Sequence, residues 1–187
     1  MRKSLFYGLS VGLLITVLAA LPPHALRGTA YAQQTKDTAV TANFTKIGYA
    51  LMKEKIGFLS LGISEDIVLK NLGDPEKKST ARIWGADGME HQSWYYPAKG
   101  LEFDMVRKDG KQVVDRISIE RPCDYKTQRG IQIGSSVADV QMAYKNEINP
   151  QYGAPDSSIV AGTVFGGIIF GIRDGRVHSI FVGASAE

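Results

Sequence analysis

The amino-acid sequence predicts an α+β protein in which two tandem units, each a helix followed by an antiparallel β-meander, form one composite domain. An internal repeat is the first reason: LGISEDIVLKNLGDP, from Leu61, aligns without a gap with IGSSVADVQMAYKNE, from Ile133. The second reason is that strand-like segments follow each helix and turn at an Asp-Gly pair, which favours a β-hairpin. A single unit of about sixty residues buries little surface, so we expect the two units to pack together.

The N-terminus has the pattern of a secretory signal peptide. A basic start precedes an apolar stretch from Leu5 to Leu21, and Ala30-Tyr31-Ala32 is an A-x-A cleavage site. We therefore expect cleavage after Ala32 and an exported protein, periplasmic or extracellular. The alternative is an uncleaved membrane anchor, because the apolar stretch approaches the roughly 20 residues that span a bilayer.

Removal of this segment changes the charge of the protein. The whole chain has 22 Lys and Arg against 19 Asp and Glu, but residues 1–32 contain Arg2, Lys3 and Arg27 and no acidic residue. The mature balance is therefore 19 against 19, which gives no reason to expect a nucleic-acid partner. Cys123 is the only cysteine, so the sequence predicts either a free or buried thiol or a bridge to another chain.

An amphipathic helix is predicted ahead of the repeat. Residues 33–42 are mainly small and polar and are read as a flexible leader. Apolar residues then recur with helical spacing at Val40, Phe44, Ile47 and Leu51, which predicts a helix from about Thr41 to Lys55. Gly48 weakens that helix, since glycine costs about 1 kcal/mol in a helix interior. The predicted parts of the chain are thus the signal peptide at 1–32, the leader and helix at 33–57, and the two units at 58–122 and 123–187.

The helices and hairpins of the two units correspond. Ser64 and Ser136 stand at predicted helix N-caps, where a hydroxyl accepts from otherwise unpaired backbone amides. Strand residues 100–103 match residues 167–170. The turns are Asp109-Gly110 and Asp174-Gly175. The first unit has one further predicted strand, at residues 93–96.

These motifs resemble a known repeat family. The G-x-S-x-x-x-V helix, the WYYPAKGLEF strand pair and the D-G-K-x-V-x-x-I hairpin are similar to the β-lactamase-inhibitor-protein-like repeat. The same unit occurs once in the SmpA/OmlA outer-membrane assembly lipoproteins. The inhibitors carry disulfides and the lipoproteins an acylated N-terminal cysteine, neither of which this sequence contains. What the resemblance implies is an exported protein-binding scaffold, and not an inhibitory or assembly activity.

The sequence contains no motif for catalysis or for a cofactor. Phosphate-binding loops, nucleophile elbows, paired histidines on a helix and C-x-x-C pairs are all absent, so we predict a protein that is not an enzyme and has no evident small-molecule substrate. Asp87, Glu90 and His91 lie close together in a polar segment and could form a weak metal site. A solvated loop is the more common meaning of that pattern, so no metal is predicted.

The candidate binding residues come from strand parity. In the aromatic cluster formed by Trp84 and residues 94–96, Trp94 and Tyr96 share one face, which we assign to the core, and Tyr95 points the other way. In the first unit this second face is polar. The matching positions of the second unit are apolar or glycine. The predicted partner-binding residues are Tyr95, Glu102, Ser118, Ile169 and Phe181.

Apolar side chains on both faces of a strand are normally covered on both faces. For Ile169 and Phe181 the cover is either the N-terminal helix or a partner, which can be another protein or a second copy of this chain. We therefore expect an exported protein-binding scaffold. The alternative is a cell-envelope structural or assembly factor held in the membrane by an uncleaved Leu5 to Leu21 segment.

Overall fold

A computed structural model describes residues 38–154 and 156–185 of the chain. The predicted signal peptide, the first part of the leader and Pro155 lie outside the described residues. In the described part of the chain, no helix has the length and apolarity needed to cross a membrane. The residues from Ala39 onwards form one unit.

Within the described residues, three α-helices accompany one antiparallel sheet, which confirms the α+β class. The helices are α1 (38–51), α2 (Glu65–Leu72) and α3 (Val137–Ala143), and a short 3₁₀ helix spans Pro97–Lys99. The strands are β1 (Lys77–Lys78), β2 (Arg82–Ile83), β3 (Glu90–Tyr96), β4 (Leu101–Lys108), β5 (Lys111–Ile119), β6 (Ile148–Ala154), β7 (Ser158–Thr163), β8 (Gly166–Arg173) and β9 (Arg176–Gly183).

The sheet is continuous from one half of the chain to the other. Its strand order is β1-β3-β4-β5-β9-β8-β7-β6, and β2 also pairs with β3. The two halves meet where β5 pairs with β9, and Ser118 lies opposite Phe181 at the middle of that pairing. The sequence left open whether the faces opposite the core in the two halves form one surface. The structure shows that they do.

The core lies on one face of the sheet, here called the inner face. Trp94, Tyr96 and Phe103 are almost fully buried there, which confirms the predicted core assignment of the first two. Val68 of α2 and Val140 of α3 are buried in the same core, so both helices pack on the inner face. The opposite face is called the outer face.

Helix α1 differs from its predicted extent. It is already helical at residue 38 and ends at residue 51, so residues 38–42 of the predicted flexible leader belong to the helix. Leu51 is buried in the core, and Ile47 packs against it. Close packing explains why a glycine, which weakens the helical signal, stands at position 48. Gly48 lies directly against Gly162 and Gly166 at the β7–β8 hairpin. Any side chain on Gly48 would collide with that backbone.

The predicted turns are confirmed, and one predicted cap is wrong. Asp109 and Asp174 have φ values of 50° and 52°, and the glycine after each also has positive φ, as a type I′ turn requires. Ser136 accepts a hydrogen bond from the Asp139 backbone N–H at 3.1 Å. Ser64 also stands at an N-cap, but its side chain makes no capping bond. Short α2 therefore begins without the side-chain cap that its sequence suggested.

Candidate functional site

The five predicted partner-binding residues form one row across the outer face. Directly paired residues of an antiparallel sheet lie on the same face, with Cβ atoms about 5 Å apart. The successive cross-strand pairs are Tyr95 with Glu102, Glu102 with Ser118, Ser118 with Phe181, and Phe181 with Ile169. We call these five residues the outer row. Strand parity predicted the members of this row, and the β5–β9 pairing makes it continuous.

The outer row changes in character along its length. Lys77 extends it beyond Tyr95, and Val160 extends it beyond Ile169. One end is therefore polar and charged, and the other end is apolar. Glu102 is exposed, whereas Tyr95, Ser118, Ile169 and Phe181 are half-buried. A face with this gradient can contact charged and apolar groups of one partner at the same time.

A groove of about 410 Å³ opens at the polar end of the outer row. Its apolar wall includes Tyr95, Pro97 and Leu101, and its polar wall includes Glu102, Ser118 and Glu120. Three of the five predicted residues thus line one concave feature. Grooves that combine apolar walls with a few polar groups are the usual form of a recognition site.

The groove contains two neighbouring carboxylates, Glu102 and Glu120, and its lining also includes the cations Lys77 and Arg121. Although Glu102 is exposed, partial desolvation of its carboxyl in the groove raises its pKa, and the nearby carboxylates of Glu120 and Asp104 raise it further. Among the described residues, neither Glu102 nor Glu120 has a cationic nitrogen within 4.0 Å. A cationic group from a partner would relieve the repulsion between these carboxylates.

A buried histidine lies beside the outer row on the same face. His91 keeps only 2% of its surface exposed and bonds to two carboxylates. Its Nδ1 lies 2.7 Å from Asp104 Oδ2, and its Nε2 lies 2.9 Å from Asp87 Oδ2. Burial lowers the pKa of His91, but the bonds to Asp104 and Asp87 outweigh it, so the pKa is raised. Because both ring nitrogens are engaged, His91 offers no free nitrogen to act as a general base.

Trp84 covers this histidine. The rings of Trp84 and His91 stack with their centroids 3.9 Å apart and their planes 5° apart. Arg116 lies over the Trp84 ring, with its Cζ 4.5 Å from the ring centroid. No role was predicted for Trp84 from the sequence. Strand parity could have found only part of this cluster, since it places His91 and Asp104 on the face of Tyr95 and Glu102.

Of the three residues considered as a weak metal site, the structure brings only two into contact. Asp87 does reach His91, but the Glu90 carboxylate bonds to Arg107 Nε at 3.0 Å instead. Glu90 is adjacent to His91 in β3 and therefore faces the other side of the sheet. Asp87, Glu90 and His91 do not form a set of three ligands.

Two further predictions concern Cys123 and the N-terminal helix. Cys123 is 8% exposed, and burial raises the pKa of its thiol, which agrees with the predicted buried thiol. Helix α1 packs against the core through Leu51 and against the β7–β8 hairpin through Gly48. Ile169 and Phe181 are not members of that core cluster. The apolar end of the outer row is therefore separate from the core that Leu51 joins.

No protein-family model, no curated protein and no solved structure matches this chain. Its function must be inferred from its own residues and their geometry.

Proposed function

We propose that this protein is an exported, non-enzymatic binding protein that holds a protein partner on the outer row. The observation that supports this most is the continuous row from Tyr95 to Ile169, with a groove at one end. Tyrosine and other aromatic residues are enriched among the residues that contribute most to binding. The partner should place apolar side chains over Phe181 and Ile169 and a basic side chain near Glu102.

We also propose that the two halves of the sheet are two copies of one unit. Gly62 N–H donates to the Val114 carbonyl, and Gly134 N–H donates to the Val177 carbonyl, in both cases at short range (2.7 Å and 2.8 Å). The aligned halves would then be related by a pseudo-two-fold axis at the β5–β9 pairing. In such an arrangement Ser118 and Phe181 are equivalent positions, and they lie opposite each other.

A shared irregularity supports the same proposal. In the first half the register shifts so that Asp115 is an extra residue on β5, opposite the bond between Asp104 and Met105. In the second half it shifts so that His178 is an extra residue on β9. Bulges are retained features of a fold, so two at matching places favour a common origin. The partner would thus bind across the junction of two related units.

Photo-crosslinking in the producing cell tests the binding proposal. A benzoylphenylalanine at Ser118 should give an adduct of defined mass, whereas the same group at Asp66, exposed on α2, should not. Phe181→Asp should abolish the adduct, and Phe165→Asp should not, because Phe165 is exposed on the β7–β8 turn and is absent from the outer row. Circular dichroism verifies that both variants fold.

The identity of the adduct separates the outcomes. Another protein, whose purified form binds the wild-type chain and not Phe181→Asp, supports the proposal. An adduct of two copies of this chain would make the outer row a self-association surface. Equal adducts from Ser118 and Asp66 would refute a role for the row. Mass spectrometry of the exported form should find an N-terminus at Gln33, and an intact Met1 would instead favour the anchored envelope factor.

A further inference from the structure

Three neighbouring strands bring one imidazole and two carboxylates together beside the outer row. His91 lies on β3, Asp104 on β4 and Asp115 on β5, and one ligand atom from each lies within 4.8 Å of the others. Ligand bonds to zinc are about 2.0–2.2 Å long, so two ligand atoms of one ion lie about 4 Å apart or closer. A small inward movement of these side chains would complete such a site.

The β-bulge is what brings Asp115 into this group. Asp104 pairs with Arg116, and Met105 pairs with Val114, so Asp115 is the additional residue between them. Without the bulge, neighbouring residues of β5 would point to opposite faces. Bulges often re-aim a side chain next to a functional site. In the second half the matching bulge carries His178 beside Gly171.

Asp87 supplies the outer contact that a histidine ligand needs. Histidines that bind metals almost always donate their other ring N–H to a carboxylate, a carbonyl or water. His91 Nε2 lies 2.9 Å from Asp87 Oδ2. With its proton on Nε2, the imidazole keeps that bond and presents the lone pair of Nδ1 towards Asp104. The ring orientation is therefore already set for a ligand, and an ion bound at Nδ1 would displace the proton that this nitrogen shares with Asp104.

A buried carboxylate oxygen in this group has no partner. Asp104 is 9% exposed, and its Oδ1 has no hydrogen bond within the described residues. Buried polar atoms are nearly always bonded, so an orphan of this kind calls for an unseen water or ion. Because the same carboxylate lies beside His91 and Asp115, one ion would satisfy it and its neighbours together.

Two side-chain cations stand close to the carboxylates. Arg116 Nε lies 3.9 Å from both Asp104 and Asp115, and Lys108 Nζ lies 3.9 Å from Asp115. These distances exceed those of a charged hydrogen bond, about 2.7–2.9 Å. The guanidinium of Arg116 also lies over the Trp84 ring. Arg116 thus competes with an added cation by charge.

We propose that His91, Asp104 and Asp115 form a binding site for a divalent transition-metal ion of the zinc type. One imidazole nitrogen with carboxylate oxygens suits zinc, whereas calcium and magnesium prefer ligand sets made of oxygen alone. Three protein ligands leave a fourth position for water or for a side chain of a partner. This site is additional to the binding role of the outer row and does not depend on it.

Calorimetry with zinc sulfate on the chelator-treated full chain tests the site. We expect one ion per chain. Asp115→Asn should weaken binding at least about tenfold, and Asp87→Asn by about 10–100-fold through its outer contact. His91→Gln should abolish binding. Arg116→Gln should tighten binding, because it removes a competing positive charge; a purely structural cluster gives no such gain.

Two controls match the ligand variants. His178→Gln removes the only other histidine of the described residues, and Glu90→Gln removes a charge adjacent to His91. Both should keep wild-type affinity. Cobalt absorption with the same variants gives a second readout, and near-ultraviolet circular dichroism checks folding. If His91→Gln misfolds, Asp115→Asn still tests the site. The Asp115 side chain is 29% exposed, so this variant should fold. Absence of zinc binding, or equal binding by Asp115→Asn and wild type, would overturn the site.

Discussion

Gly48→Ala separates local helix propensity from tertiary packing. Alanine is favoured over glycine in a helix interior by about 1 kcal/mol, so α1 considered alone predicts a stabilised protein. The structure predicts the opposite. A Cβ on Gly48 would lie 2.1 Å from the Gly166 carbonyl oxygen, and that oxygen also accepts a hydrogen bond from Thr163 Oγ1 at 3.3 Å.

The size of the effect follows from this contact. Carbon and oxygen atoms in close contact normally stay about 3.3 Å apart, so helix and hairpin would have to separate by about 1.2 Å. Overpacking of this kind costs about 1–3 kcal/mol, and here the obstacle is backbone rather than a flexible side chain. After the helix gain of about 1 kcal/mol, the loss of unfolding free energy should reach about 2 kcal/mol. For a chain of this size the Tm should fall by about 4–8 °C.

Urea and thermal denaturation of the full chain measure this loss. Gly85→Ala is the matched control, because no atom lies within 4 Å of its added Cβ, and it should change stability little. Ala50→Gly, at an exposed position of α1, should cost about 1 kcal/mol and shows that the helix contributes to stability. If Gly48→Ala proved as stable as the wild type or more so, the close packing of α1 on the hairpin would be refuted.

The remaining predictions concern a helix cap and a titrating carboxyl. Ser136→Ala removes a capping bond and should lower the unfolding free energy by about 1 kcal/mol, measured by urea titration. Ser64→Ala removes no capping bond and should have a smaller effect in the same titration. Equal losses for the two variants would contradict the cap assignment. Glu102 has a raised pKa in the folded state, so the folded protein loses stability as the pH rises through that pKa. Glu102→Gln should therefore be more stable than the wild type at pH 7. The difference in stability should disappear below the ordinary glutamate pKa of about 4.3. A variant that is less stable than the wild type at pH 7 would contradict the predicted direction of this effect.

Much of the outer row could be predicted because strand parity is a local property. Alternation along β3 and β4 assigns Trp94 and Phe103 to the core and Tyr95 and Glu102 to the other face, and the structure places them so. The cluster around His91 could not be predicted in the same way. It depends on Asp87 folding back onto β3 and on the bulge that redirects Asp115. Neither feature leaves a periodic trace in the sequence.

The sequence by itself determined the α+β class, the Asp-Gly turns and which residues share a face. Those features follow from side-chain period and from the φ values that individual residues tolerate, which act over a few residues. Only the tertiary structure decided that β5 pairs with β9, that Gly48 serves close packing, and that the outer row is continuous. Strand order and close approach depend on contacts between segments far apart in the chain. Their free energy comes from packing that no local pattern specifies.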